Sequence, residues 1–216
     1  MTTAQAHPII DTVIFDLGGV LIDWNPRHLY RKLFGDDVDA MERFLREVCN
    51  TEWNEQQDAG RSWEDAVQEA IARHPSEATM IRAYHERWHE MIAGALDQTV
   101  AVLDELRAKG IRILALTNWS HETFPVAVER FPFLQWFEGV LVSGTEGLKK
   151  PDPAIFALMN ARYQIDPQRA VFIDDLQRNI DAAQAAGLHG IHFSGAQQLR
   201  TDLRKLGLPV NSHADS

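Results

Sequence analysis

Four apolar runs of this 216-residue chain end on residues able to handle charge. Asp16 follows TVIF, Thr117 and Asn118 follow ILAL, Ser143 and Gly144 follow GVLV, and Asp174 and Asp175 follow AVFI. Carboxylates gathered at one place repel one another unless a cation lies between them. An all-oxygen donor set suits Mg²⁺, which keeps several waters and shares its shell with substrate phosphate. Lys149 and Lys150, in the GLKKPDP turn, offer ammonium groups to balance phosphate and carboxylate charge, and Thr117 and Asn118 offer hydroxyl and amide donors. Brought together, these groups make a cation-assisted site for a phosphate ester, with Asp16 as the nucleophile attacking phosphorus in line.

For these residues to meet, the apolar runs must be neighbouring strands. From residue 97 onward the pattern alternates: helix QTVAVLDELRAKG, strand IRILALTN, helix around HETFPVAVER, strand GVLVSG, helix PAIFALMNARY, strand AVFIDD, helix NIDAAQAAG and strand GIHF. The strand runs are short and apolar, as in a parallel sheet covered by helices on both faces, and Gly110 and Gly187 stop the helices before two of them. Adding TVIF predicts an α/β fold with a doubly wound parallel sheet, in which a ligand lies beyond the carboxyl ends of the strands. Residues 26–95 read differently. DAMERFLREVC, SWEDAVQEAIARH and EATMIRAYHERWHEMI space apolar residues three and four apart, as amphipathic helices do, and nothing in this stretch reads as a strand. Asp36 and Ser62 are the expected N-caps, with breaks at FGDD, DAGRS and RHPSE. The expected division is a core of residues 1–24 and 96–216 with an all-helical insert over 25–95.

The formal net charge of -10 argues against a nucleic-acid or anionic-membrane surface and leaves room for a local basic pocket. Cys49 is the only cysteine, so neither an intrachain disulfide nor a cysteine metal cluster can form, and the cytoplasm is the expected compartment. MTTAQAHPII has no basic n-region and no long apolar h-region, and no stretch offers the ~20 apolar residues of a membrane helix. No obligate protein partner is indicated. The LPVNSHADS tail reads as loosely held.

In order along the chain, FDLGGVL, the LTN ending in Asn118, KKP with Lys150, and FIDDLQRN resemble the four motifs of the haloacid dehalogenase superfamily. TNW and DDxxxN resemble most the subgroup of bacterial glucose-1-phosphate phosphatases and the phosphatase domain of soluble epoxide hydrolases. The resemblance implies that Asp16 forms an aspartyl-phosphate and that Mg²⁺ is held by Asp16, the main-chain carbonyl of Gly18 and Asp175. It implies that Asp174 acts beside the metal, that Thr117 and Asn118 orient phosphoryl oxygens, that Lys150 bridges Asp16 and phosphate, and that Asn179 steadies the fourth motif. Residues 25–95 would be a cap that closes over the site and selects a small phosphorylated metabolite, such as a sugar phosphate.

Gly18 departs from the family's usual Asp-x-Asp, whose second aspartate protonates the leaving oxygen and later activates water. Losing such a group typically costs about 10²- to 10⁴-fold in rate. Either the leaving group is a good one, as in a sugar 1-phosphate or acyl phosphate, or another residue or an ordered water stands in, with Asp23 and His121 as the candidate residues. Two alternatives follow: a 2-haloacid dehalogenase using Asp16 on carbon without Mg²⁺, and a phosphate-binding module without turnover. Adjacent Asp174 and Asp175 weigh against the first, since they would repel an anionic haloacid.

Other residues carry a functional reading beside a plainer one. HERWH, with His85 and His89, matches the helical zinc-protease pattern, but lacks an indicated third ligand, and packing beside Trp88 explains it as well. Trp53, Asn54 and Arg61 flank a break between insert helices, where they either contact substrate or pack and solvate the insert. Trp119 either lines the pocket or packs. Asp36, Asp37 and Asp39 read as a solvated helix start, and Arg200 and Arg204 as a solvated face.

Overall fold

The computed structural model describes residues 9–212; the MTTAQAHP segment and the last four residues of the tail lie outside them. In chain order the elements are β1 (Thr12–Phe15), β2 (Ile22–Trp24), α1 (Arg27–Phe34), α2 (Val38–Glu47), α3 (Thr51–Asp58), α4 (Trp63–Arg73), α5 (Ala78–Glu86), β3 (Ile92–Ala95), α6 (Asp97–Ala108) and β4 (Arg112–Thr117). They continue with α7 (Phe124–Arg130), β5 (Gly139–Val142), a single turn α8 (Ser143–Glu146), α9 (Pro153–Arg162), β6 (Ala170–Asp174), α10 (Gln177–Ala185), β7 (His189–His192) and α11 (Ala196–Lys205).

Five strands form one parallel sheet in the order β5-β4-β1-β6-β7. Strand order reverses on either side of β1, so the carboxyl end of β1 lies between those of β4 and β6. That is where an open α/β sheet binds its ligand, and Asp16 follows β1 directly. Alternation along the strands explains why both faces are dry. Val13 and Phe15 of β1, Ile113 and Ala115 of β4, and Val171 and Ile173 of β6 join one hydrophobic cluster; Ile14, Leu114, Leu116 and Phe172 join the other. Gly110 and Gly187 follow α6 and α10 with φ of +73° and +90°, the left-handed conformation that ends a helix.

Helices α1 to α5 are inserted between β2 and β3. Their core is aromatic: Trp53 meets Tyr84 edge-on at 5.1 Å, and Trp63 lies 5.6 Å from each of them. This core belongs to the same cluster as one face of the sheet. Ser62 caps α4 through the Asp65 N–H as expected, but α2 is capped by Asp37 through the Ala40 N–H rather than by Asp36. A further break, capped by Asn50, separates α2 from α3.

Three further readings of the sequence require correction. Ile92–Ala95 is a strand, paired antiparallel with β2, so the chain enters and leaves the helices through a two-stranded ribbon. Its IAGA sequence is too short to show a period, and pairing alone defines it. The HERWH stretch is not one helix: α5 ends at Glu86 and Trp88–Met91 forms a separate 3₁₀ turn. His85 stacks flat on Trp63 at 5.2 Å, so the i, i+4 histidine face required for zinc does not exist. Arg200 is buried rather than solvated, bonded to Glu105 at 2.6 Å and to the Asn211 carbonyl at 3.3 Å, whereas Arg204 is exposed. The guanidinium finds its acid 95 residues away in sequence, which helix periodicity cannot show.

Candidate active site

Lys150 is the centre of the site. Its Nζ lies 2.9 Å from Asp16 Oδ1, 2.7 Å from Asp174 Oδ2 and 3.0 Å from the Leu116 carbonyl, and the residue is 1% exposed. One buried ammonium therefore joins the ends of β1, β4 and β6. Its main chain is held by Asn118, whose Oδ1 accepts from the Lys150 N–H at 2.8 Å and whose Nδ2 donates to the Lys150 carbonyl at 2.9 Å. The expected donor of the second motif thus positions the lysine of the third. Thr117 is buried at the end of β4.

Asp174 is fully buried and its hydrogen-bonding capacity is heavily used. Oδ1 accepts from the Leu176 N–H at 2.8 Å and from Asn179 Nδ2 at 2.9 Å, while Oδ2 accepts from Lys150 and from Asn179 at 3.0 Å. Asn179 thereby ties the start of α10 to the end of β6. Asp175 is the less buried neighbour. Asp16, Asp174 and Asp175 present carboxylate oxygens that all lie within 4.8 Å of one another.

This crowding shows in the ionisation of the groups. Burial raises the Asp16 carboxyl, the charges of Asp174 and Asp175 add to the rise, and Lys150 opposes it. Asp175 is also raised, by burial and by Asp174. Burial alone would lower Lys150, but Asp16 and Asp174 outweigh it and the ammonium is held above its ordinary range. With three carboxylates around a single ammonium, the ionised cluster carries excess negative charge. The oxygen-only donor set and that excess fit a hard divalent cation such as Mg²⁺.

The loop after β1 shows what its two glycines do. Gly19 has φ +74°, and a Cβ there would sit 2.6 Å from Asp175 Oδ2, so the main chain passes directly against that carboxylate. Gly18 has neither constraint, since a Cβ there would meet nothing within 4 Å. The missing second aspartate therefore leaves open space. Adjacent glycines look alike in a sequence, and only the main-chain conformation separates Gly19 from Gly18.

The insert lies over these strand ends. Glu55 of α3 pairs with Lys149 and with Arg178, each at 2.5 Å, and Ser143 Oγ donates to the Asp58 carbonyl at 2.5 Å. Beneath α3 a cavity of about 60 Å³ is lined by Gly18, Trp24, Asn54, Asp58, Trp88, Asn118, Trp119 and Thr123. It shares Trp24, Asn54, Asp58 and Asn118 with a larger cleft of about 350 Å³, whose lining also includes Arg27 and Arg178. Trp119 both lines the cavity and packs, 5.3 Å from Trp88. Asn54 reaches the cavity, while Trp53 is buried in the insert and Arg61 bonds to Gln56 and Glu69. Asp23 instead pairs with His28 at 2.9 Å, and His121 is exposed; neither lines the cavity.

Among the described residues, no helix is long and apolar enough to cross a membrane. Residues 10–187 match the model of the haloacid dehalogenase-like hydrolases. The chain is 26% identical over 89% of its length to 94% of a sesquiterpene phosphatase, astK, of Aspergillus oryzae. It is 22% identical over 85% of its length to 84% of a phosphorylated carbohydrates phosphatase of Thermotoga maritima. A HAD family enzyme of Bacteroides thetaiotaomicron, solved in complex with magnesium and inorganic phosphate, shares the fold with a TM-score of 0.63 at 22% identity, over 86% of this chain and 95% of that one. The motifs expected from the sequence converge at one end of the sheet, and the chain belongs to the haloacid dehalogenase-like hydrolases.

Proposed function

We propose that the chain is a Mg²⁺-dependent phosphomonoesterase acting on a small phosphorylated metabolite, with sugar phosphates first among the substrates to try. The observation that carries this reading is the cluster of Asp16, Asp174 and Asp175 around buried Lys150. A substrate phosphate adds negative charge to a site already rich in it, so a cation is required for the two to coexist.

In this reading Asp16 Oδ attacks phosphorus and carries the phosphoryl group, and water then attacks the same phosphorus to free it. Lys150 would lie between Asp16 and the phosphoryl oxygens, opposing the rise that burial imposes on the nucleophile. Asp16, the Gly18 carbonyl and Asp175 would hold Mg²⁺. The ion would supply the Lewis-acid charge that draws phosphate against a carboxylate. Asp174, with both oxygens engaged by Lys150, Leu176 and Asn179, orients the lysine from beside the metal. Thr117 and Asn118 face the phosphoryl oxygens, and Trp119 borders the leaving group. Residues 25–95 act as the cap and 1–24 with 96–216 as the core. Affinity to the glucose-1-phosphate phosphatase and epoxide hydrolase phosphatase subgroup rests on TNW and on DDxxxN. A chain whose single cysteine, Cys49, is a free thiol suits a cytoplasmic enzyme.

The test is phosphate release from a panel of phosphorylated metabolites with Mg²⁺ and with EDTA, alongside haloacid controls. Mg²⁺-dependent release is expected, and Asp16→Asn abolishes it while the circular dichroism spectrum is unchanged. Metal-independent halide release would support the dehalogenase alternative, and phosphate binding without turnover would support the binding module.

A further inference from the structure

We propose that Asp58, carried by the helical insert, donates the proton that the leaving oxygen requires, the task that Gly18 leaves open in the core. This rests on the phosphatase reading above. Asp58 supplies the one carboxyl group among the residues that line the 60 Å³ cavity with Gly18 and Asn118. The space above Gly18 is open, and a second carboxylate on the β1 loop would project into it. The core has no acid there, and the insert brings one to the same cavity from the other side.

The placement of Asp58 is well defined. It ends α3, its carbonyl accepts from Ser143 Oγ at 2.5 Å, and its Oδ2 accepts from Asn54 Nδ2 at 3.1 Å. The first bond fixes the insert to the end of β5, and the second holds the carboxyl group beside the cavity that Asn54 also lines. A separate observation shows that this cavity is made for a polar guest. The indole N–H groups of Trp24 and Trp119, which both line it, are buried and have no acceptor among the described residues. Buried donors are ordinarily satisfied, so the cavity expects an oxygen.

The charge environment agrees. Burial pushes the Asp58 carboxyl up to about 7; Glu55 on the same helix adds to the rise, while Lys149, Lys150 and the Ser120 N–H oppose it. Arg27 of α1 and Arg178 of α10, paired with Glu42 and Glu55, line the larger cleft with it. A substantial fraction is therefore protonated near neutrality, as a general acid must be.

The step balances. As Asp16 Oδ bonds to phosphorus, the bond from phosphorus to the ester oxygen breaks and that oxygen takes the Asp58 proton, leaving as an alcohol. Water then bonds to the same phosphorus and the bond to Asp16 breaks. The water proton passes to Asp58, so hydrogen phosphate leaves and both carboxyl groups return to their starting states.

The experiment compares Asp58→Asn with the parent on glycerol 2-phosphate, whose leaving alkoxide needs a proton, and on p-nitrophenyl phosphate, whose leaving phenolate does not. Because kcat/KM reports events up to leaving-group departure, it isolates the acid role. The expected result is a loss of about 10²- to 10⁴-fold on glycerol 2-phosphate with less than about fivefold on p-nitrophenyl phosphate. Gly18→Asp added to Asp58→Asn is expected to restore part of the loss, since a side chain fits there. Equal losses on both substrates would assign Asp58 a structural role and overturn the proposal, as would an unchanged rate on glycerol 2-phosphate. If the parent releases no phosphate with Mg²⁺ from these esters or from any member of the metabolite panel, the phosphatase reading itself fails, which the parent assay alone reveals.

Discussion

Replacing Lys150 with methionine keeps the length of the side chain and removes the charge at the centre of the site. Asp16 loses a partner at 2.9 Å and Asp174 one at 2.7 Å, both in surroundings closed to water. Removing one member of a buried ion pair costs about 3–5 kcal/mol, because the charge left behind is uncompensated. The structure places this case at the lower end, because the Asp16 carboxyl, raised to about 8 by burial even with Lys150 beside it, takes up a proton when the ammonium is removed. Asp16 Oδ1 keeps the Leu17 N–H at 2.7 Å, and Asp174 keeps the Leu176 N–H and the Asn179 amide. A loss of about 3 kcal/mol in metal-free buffer at pH 7 follows. With a urea m-value of about 2 kcal/mol/M, this lowers the unfolding midpoint by about 1.5 M, which tryptophan fluorescence resolves easily. Adding Asp174→Asn to Lys150→Met should return at least about 1 kcal/mol, since the two sites are directly coupled. Mg²⁺ should return a further part by restoring positive charge. A Lys150→Met variant within about 0.5 kcal/mol of the parent would refute the argument that the ammonium balances these carboxylates.

Gly19→Ala imposes a Cβ on a residue at φ +74° and 2.6 Å from Asp175 Oδ2, so the carboxylate must move. We expect a stability loss of about 1–2 kcal/mol from the backbone conformation and at least about tenfold weaker Mg²⁺ binding by calorimetry; Gly18→Ala, with open space, should unfold as the parent does. The Asp58 carboxyl, raised to about 7 by burial, loses its proton as pH climbs. The kcat/KM for an alkyl phosphate should accordingly fall above about pH 7, and Asp58→Asn should remove that limb of the profile.

The core of this protein was legible because its signals are local. Short apolar runs alternating with amphipathic helices identify a parallel sheet, and a polar residue at the end of each run marks the crevice. Asp16, Thr117, Asn118, Asp174 and Asp175 could be singled out on that ground alone. What the sequence by itself determined is therefore the fold class, the family and the strand-end residues that meet in the crevice. Tertiary structure decided which groups touch. Asn118 is bonded to the main chain of Lys150, 32 residues away, and Arg200 to Glu105, 95 residues away; no local period carries such information. The strand Ile92–Ala95 exists only through pairing with β2, and HERWH divides into a helix and a 3₁₀ turn that send His85 to Trp63 and Trp88 to Trp119. Asp58 is the clearest case. In TEWNEQQDAGRSW it is one acid among several near a helix end, and it acquires a role only when the insert folds over the sheet, because burial and proximity are properties of the closed chain.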